Sequence, residues 1–402
     1  MKDKVFYILL EIKRVNWLKN IDLFVTELVN IYAYDNKTGS MNTEVYGVGN
    51  TVGDRIYVKI MKGTTTMVTI KDLYKSLENQ IKDTNNYIPV VLGIDIEGNP
   101  IMYDFKKLDS ILVTGMTRSG KTWFVIAVMA QMMSFLKPSE LNFYIYDPKA
   151  LISDLSFLSV PHIKRFVSED TAILEDLRRV VNIEGDRRAK LFGEAGVTHI
   201  WDFKRKNPNV DMPLIYIVID EVITLAERME ESIKKEFQSL LLQLVSRLPA
   251  LGIRVIMIPH VVKDAILKKT MTDLIPCRVS VKGSLDHIVS TLGVKKFDHK
   301  LRHVGDMAIK LDNSEAKFMH SVVLSDSNDG NVEFFDFLEK FWLKIEPESI
   351  KGSLLEKAKM KGVPVIDINN NLSQNNYSNK IKPKVGKNGG VDFNDLLDSI
   401  NK

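Results

Sequence analysis

The sequence predicts an α/β fold, a mainly parallel sheet with helices on both faces, built around a glycine-rich loop. Three observations predict it. Short apolar runs at Val90–Ile94, Ser110–Thr114, Phe143–Tyr146, Leu214–Ile219 and Arg254–Ile258 have strand length and no alternating polar face, as strands covered on both sides do. Longer stretches at Thr122–Leu136, Ala172–Phe192 and Glu231–Leu248 have helical spacing and alternate with those strands. Gly115-Met116-Thr117-Arg118-Ser119-Gly120-Lys121-Thr122 matches G-x-x-x-x-G-K-[ST], and it stands between an apolar strand and an apolar helix beginning near Trp123.

The elements order the chain into three parts. Residues 1–88 read as a small α+β module. Arg55–Ile60 is β-rich, Gly63 marks a turn, and Met67–Ile70 is β-rich again. Asp72–Ile81 follows, with Leu73, Leu77 and Ile81 at helical spacing, and Asp83-Thr84-Asn85-Asn86 breaks the pattern. Residues 89–345 carry the alternating strands and helices of the core. Residues 346–402 form a tail. Within it Asn369–Gly390, with Lys380, Lys382, Lys384 and Lys387 among asparagines and glycines, has little to bury and reads as a flexible basic linker. Asp392–Ile400 is amphipathic if helical. It is either a short helix docking on a partner through Phe393, Leu396, Leu397 and Ile400, or a frayed end.

Bulk properties narrow the class. The 402 residues are 45% hydrophobic and 26% charged, ordinary values for a globular protein with one large core and an added module. A net charge of +4 neither demands nor excludes a nucleic-acid partner. The single cysteine, Cys277, excludes an internal disulfide, and no Cys/His cluster has zinc spacing. Glu11, Lys13 and Arg14 cut the N-terminal apolar run far below the ~18 residues of a membrane span. The expectation is a chain without a membrane span, in a reducing, cytoplasmic setting.

The chemistry centres on residues 115–123. Glycines let the backbone curl so that successive N–H groups face phosphate oxygens, and the following helix adds the positive end of its dipole. Gly115, Met116, Thr117, Arg118, Ser119, Gly120, Lys121, Thr122 and Trp123 are the candidate ATP-binding set. Lys121 is placed to reach the β- and γ-phosphates, and Thr122 to offer a hydroxyl to Mg²⁺. The strand Leu214–Ile219 ends in Asp220-Glu221: Asp220 is the second Mg²⁺ candidate, and Glu221 the residue that orients and polarises attacking water. The plain alternatives are a glycine turn and an acidic N-cap.

Further segments carry a resemblance. Val91-Leu92-Gly93-Ile94-Asp95-Ile96-Glu97-Gly98-Asn99-Pro100, Tyr146-Asp147-Pro148-Lys149, Val160-Pro161-His162-Ile163, Gly185-Asp186-Arg187-Arg188, Ala250–Ile256, Ile275–Val279 and Gly305-Asp306-Met307 stand in the order in which the FtsK/SpoIIIE DNA translocases carry their motifs. The chain resembles that family, including the related coupling ATPases of Gram-positive conjugative elements, over about half its length. The resemblance implies a RecA-like ATPase core and assembly as a homo-oligomeric ring, normally a hexamer. It also implies double-stranded DNA in the central channel and ATP between subunits, with residues 1–88 as a stacked second tier. A relaxase or a membrane or secretion partner would recruit such a coupling ATPase.

Two departures stand out. Where the family carries T-Q-R-P, this chain reads Ile258-Pro259-His260-Val261, so His260 becomes the candidate phosphate sensor, against the plainer reading of a histidine at a strand end. The family's arginine before that strand falls on Pro249, with Arg247 two positions away, so Arg278 becomes the candidate trans-acting arginine, against a salt bridge at a strand edge. Lys263, Lys268 and Lys269 face either a DNA channel or solvent. Three roles stay open: a conjugation coupling ATPase, a plasmid or phage replication or packaging ATPase, and a non-translocating ATP-dependent assembly switch.

Overall fold

The computed structural model describes scattered backbone elements between residues 6 and 70 and then residues 89–346, interrupted at 96–98, 150–155, 263–264, 298–300, 302–303 and 326–327. The helix expected over Asp72–Ile81, the basic linker, the terminal amphipathic segment and Lys263 lie outside the described residues.

Two compact units divide after Met67. In the first, β1 (Phe6–Lys13), β4 (Val45–Val52) and β5 (Arg55–Lys62) form an antiparallel sheet in the order β1-β5-β4, and β2 (Tyr34–Asp35) pairs with β3 (Ser40–Met41).

The second unit is built on an eleven-stranded sheet. Its strands are β6 (Val68–Thr69), β7 (Pro89–Ile94), β8 (Pro100–Asp104), β9 (Ser110–Thr114), β10 (Leu141–Tyr146), β11 (Ile163–Val167), β12 (Leu214–Asp220), β13 (Ile253–Ile258), β14 (Cys277–Val281), β15 (Asp306–Leu311) and β16 (Lys317–Val323). The order β11-β10-β12-β13-β9-β14 is parallel throughout. Every residue of β9, β12, β13 and β14 is buried, which is why these segments carry no alternating pattern.

The remainder of the strand order is antiparallel, within the expected mainly parallel architecture, and one expected strand falls in it. From β14 the order continues β15-β16-β7-β8 with antiparallel pairing at each step. Val90–Ile94 therefore belongs to the antiparallel half. A few residues after Ile94 the chain returns as β8, and so short a connection can only make an antiparallel pair.

The described helices are α1 (Lys121–Phe135), α2 (Asp170–Arg178), α3 (Gly185–Glu194), α4 (Ile200–Lys206), α5 (Val222–Glu227), α6 (Glu231–Ser246), α7 (Lys269–Thr272), α8 (Leu285–Leu292) and α9 (Asn328–Ile345). Nearly all of α1 is buried, so it lies in the core instead of presenting a solvent face. Its Gln131 is buried and bonded to both N–H and C=O of Val91 (2.8 and 2.9 Å), tying α1 to β7. The helix read over Ala172–Phe192 is α2 and α3 joined by a π turn at Arg179–Glu184. None of the described helices is long and apolar enough to cross a membrane.

Several charged residues inside the core hold strands in place. Arg254, fully buried in β13, donates to the carbonyls of Phe105, Lys106 and Leu108 and to the Tyr216 hydroxyl, and its guanidinium lies 2.8 Å from Asp109. Arg188 of α3 donates to the carbonyls of Pro213 and Leu251, fastening that helix at the starts of β12 and β13. Full burial holds the His162 pKa down to about 3, so the neutral ring bonds the Leu136 carbonyl at 2.7 Å.

Candidate nucleotide-binding site

The parallel strands β10, β12, β13, β9 and β14 all end on the same side of the sheet, where ligands bind in open α/β folds. The segment 115–120 leaves β9 and enters α1 there. Gly115 has φ +141°, and a Cβ on it would lie 2.1 Å from Val281 Cγ2, so no other residue lets the loop pass the end of β14. Gly120 has φ +98° and stands just before α1 with no side-chain cap on that helix. Among the described residues, no acceptor is paired with the N–H groups of residues 117–123. A concave row of free donors at a helix N-terminus is what a polyphosphate requires.

Lys121 crosses this loop from inside. Its Nζ donates to the carbonyls of Gly115 (2.7 Å) and Met116 (3.0 Å). Burial pulls its pKa below the ordinary lysine value, while the charges of Asp220 and Glu221 act in the opposite direction. Ser119 also donates to the Met116 carbonyl. Thr122 is half-buried, whereas Met116 and Trp123 are exposed at the rim.

The acidic side of the site comes from β12. Asp220 is buried, and its pKa is pushed up to about 7, first by burial and then by the charges of Asp147 and Glu221. Glu221 adopts a left-handed conformation (φ +53°), with its N–H on Asp220 Oδ1 at 2.9 Å. Its carboxylate is held on both oxygens. His260 Nε2 lies 2.6 Å and Lys149 Nζ 3.2 Å from Oε1, and Thr224 Oγ1 donates to Oε2 at 3.2 Å. His260 Nδ1 is 3.4 Å from Lys121 Nζ. With its proton on Nε2, the ring donates to Glu221 and accepts from Lys121, which satisfies both nitrogens.

The structure thus gathers Lys121, Asp220, Glu221 and His260 into one cluster beside the glycine loop. It does not bring Arg278 there. That side chain is 6% exposed within β14 and pairs with Asp273 at 3.3 Å, beneath Gly293. Lys268 and Lys269 are exposed at the start of α7. The residues not singled out as site members are Lys149 and Asp147. Their signal was the charged pair closing a core strand in Tyr146-Asp147-Pro148-Lys149. Below the loop, Thr114 Oγ1 contacts His287 Nε2 (3.0 Å) and Thr291 Oγ1 (2.7 Å), so α8 is joined to the end of β9.

The donor set fits a magnesium nucleotide. Among the described residues no three His, Cys, Asp or Glu side chains form a metal cage. A buried, charge-starved Asp220 carboxylate with the Thr122 hydroxyl suits a hard cation that brings water and phosphate oxygens with it.

A glycine loop between strand and buried helix, a lysine crossing it and a carboxylate pair at the end of β12, with β13 between that strand and β9, define a RecA-like P-loop fold. The FtsK/SpoIIIE family model matches residues 71–271, half of the chain, and the chain belongs to this family. It is 25% identical over 280 residues to the DNA translocase SftA of Bacillus subtilis (strain 168), covering 67% of this chain and 27% of SftA. It is 30% identical over 176 residues to the DNA translocase FtsK of Clostridium tetani (strain Massachusetts / E88), covering 42% of this chain and 23% of the relative. The chain therefore spans about a quarter of the length of these relatives. Among solved structures, the pCW3 conjugation coupling protein TcpA, in a monomer form with ATPgS, superposes with a TM-score of 0.59 at 17% identity, covering 85% of this chain and 90% of that one. The EssC ATPases 2 and 3 from Geobacillus thermodenitrificans superpose with a TM-score of 0.55 at 18% identity, covering 65% and 50%. At these identities the likeness is one of fold.

Proposed function

We propose that this chain is an ATP-hydrolysing motor that forms a ring, most simply a hexamer, and moves double-stranded DNA. Its biological role is then that of a coupling or DNA-transfer ATPase of a mobile genetic element. The observation that carries the ATPase reading is the cluster beside the loop, where Glu221 and Lys121 are bridged by His260. Family membership, and relatives named as DNA translocases, support DNA as the substrate track. The transfer role draws on the chain's Lys/Asn/Ile-rich composition and on a fold-level likeness to a coupling protein.

In this reading the loop N–H groups and Lys121 bind the ATP phosphates, and Lys121 gives up its bonds to Gly115 and Met116 to do so. Thr122 and Asp220 would hold Mg²⁺, whose chemistry there would be to offset phosphate charge. Glu221 orients and polarises the attacking water, and His260 reports phosphate occupancy through Lys121. A trans-acting role for Arg278 requires its pair with Asp273 to open toward a neighbouring subunit. Lys268 and Lys269, exposed at the start of α7, would contact phosphates along such a channel without base reading, or would simply face solvent. A relaxase or a membrane-bound secretion partner would recruit the ring at the inner face of the membrane.

The test is ATP turnover with and without double-stranded DNA across a salt series. The motor reading expects several-fold stimulation that fades as salt rises. A DNA-independent rate with no salt-sensitive binding would favour an assembly switch instead.

A further inference from the structure

Glu221 is contacted from both strands that flank its own, by one ammonium and one imidazole. Lys149 stands just past the end of β10 and His260 just past the end of β13, the two neighbours of β12 in the sheet. Both reach the same atom, Oε1, at 3.2 and 2.6 Å, while Thr224 occupies Oε2. The carboxylate is only 6% exposed, whereas the lysine side chain is 34% exposed and extends inward from the rim.

Charge balance gives this contact a purpose. Asp147, Asp220 and Glu221 crowd the ends of two adjacent strands, and among the described residues Lys121 and Lys149 stand beside them as cations. Once Lys121 turns to phosphate, Lys149 still faces Glu221. Repulsion from Asp220 acts on the Glu221 carboxylate, and the Lys149 ammonium opposes it.

We infer that Lys149 is a positioning residue for the hydrolysis step: it holds the Glu221 carboxylate in place from the β10 side, as His260 does from the β13 side, without touching the nucleotide. This rests on the reading of Glu221 as the residue that orients water. A carboxylate displaced by an ångström loses much of its value to the reaction, and substrate binding is untouched.

The experiment compares Lys149→Met, Lys149→Arg and Glu221→Gln in the full chain, measuring kcat, KM for ATP and direct binding of a fluorescent ATP analogue. Lys149→Met is expected to lower kcat by about ten- to a hundredfold. Its KM, analogue affinity and melting temperature should stay at wild-type values, and Lys149→Arg should restore most of the rate. Unchanged kcat in Lys149→Met, or a loss that appears in KM or analogue affinity, overturns the inference, the latter by making Lys149 a phosphate contact. Glu221→Gln separates the two claims. If it turns over ATP normally, the role of Glu221 itself falls; if it is inactive while Lys149→Met is normal, only the inference about Lys149 falls.

Discussion

His260 Nε2 lies 2.6 Å from Oε1 of Glu221, joining the residue just past the end of β12 to one just past the end of β13. The opposite ring nitrogen faces the Lys121 ammonium at 3.4 Å. The imidazole therefore links the lysine that would grip phosphate to the carboxylate that would orient water. A glutamine at this position donates one hydrogen bond in a similar direction, which explains how histidine can stand where the family carries glutamine.

His260→Ala should therefore cost about a hundredfold in kcat, the size of effect seen when one preorganised donor is removed. His260→Gln should retain most of the rate. Steady-state ATPase assays of both variants check this, and a wild-type rate in His260→Ala would disconnect the ring from Glu221.

Asp220 gives a stability signature that depends on pH. Its folded-state pKa of about 7 stands above the ordinary 3.8, so the folded chain binds a proton that the unfolded chain releases. The associated stability is full below 3.8 and is lost as pH rises through 7. Asn at this position cannot ionise. The stability advantage of Asp220→Asn over wild type, without nucleotide, should grow by about 1–3 kcal/mol between roughly pH 5 and pH 8. Denaturant melts at the two pH values read it directly, and a gap that does not change with pH would show that Asp220 ionises freely.

Arg254 tests the architecture apart from catalysis. Arg254→Met removes the guanidinium's bonds to the carbonyls of Phe105, Lys106 and Leu108, each of which keeps a second donor (Leu108 N–H, Trp201 Nε1 and the Tyr216 hydroxyl), and leaves the Asp109 carboxylate without its ion-pair partner. The expected loss is about 3 kcal/mol in urea unfolding, typical of a buried charge network deprived of one partner. A loss below about 1 kcal/mol would mean that the pocket readily fills with water or collapses.

The parts of this account legible in the sequence are those set by local chemistry. The glycine loop needs its residues at fixed spacing, and Asp220-Glu221 follows an unbroken apolar strand, so both could be read directly. Lys149 could not. Its contact with Glu221 depends on β10 lying beside β12, and strand order is not a property of either segment. The antiparallel part had a local signal. Only residues 312–316 join β15 to β16, a connection too short for a parallel pair, and β14 and β16 mix polar with apolar residues where the parallel strand β12 does not before Asp220. The π turn at Arg179–Glu184 interrupts a helical pattern that looks continuous in periodicity alone. Arg278 was legible as a strand residue with a salt bridge as its plain alternative, and only the partner, Asp273, could not be named in advance.

The most direct test of the central claim is displacement of a third strand from a DNA triplex by wild-type protein and by Glu221→Gln. With ATP, the wild-type chain should displace the strand, and a non-hydrolysable analogue should not support it. Glu221→Gln should bind ATP with wild-type affinity, hydrolyse it at least about a hundredfold more slowly, and leave the triplex intact. Normal hydrolysis by the wild type on duplex DNA with no displacement of the third strand would contradict the motor.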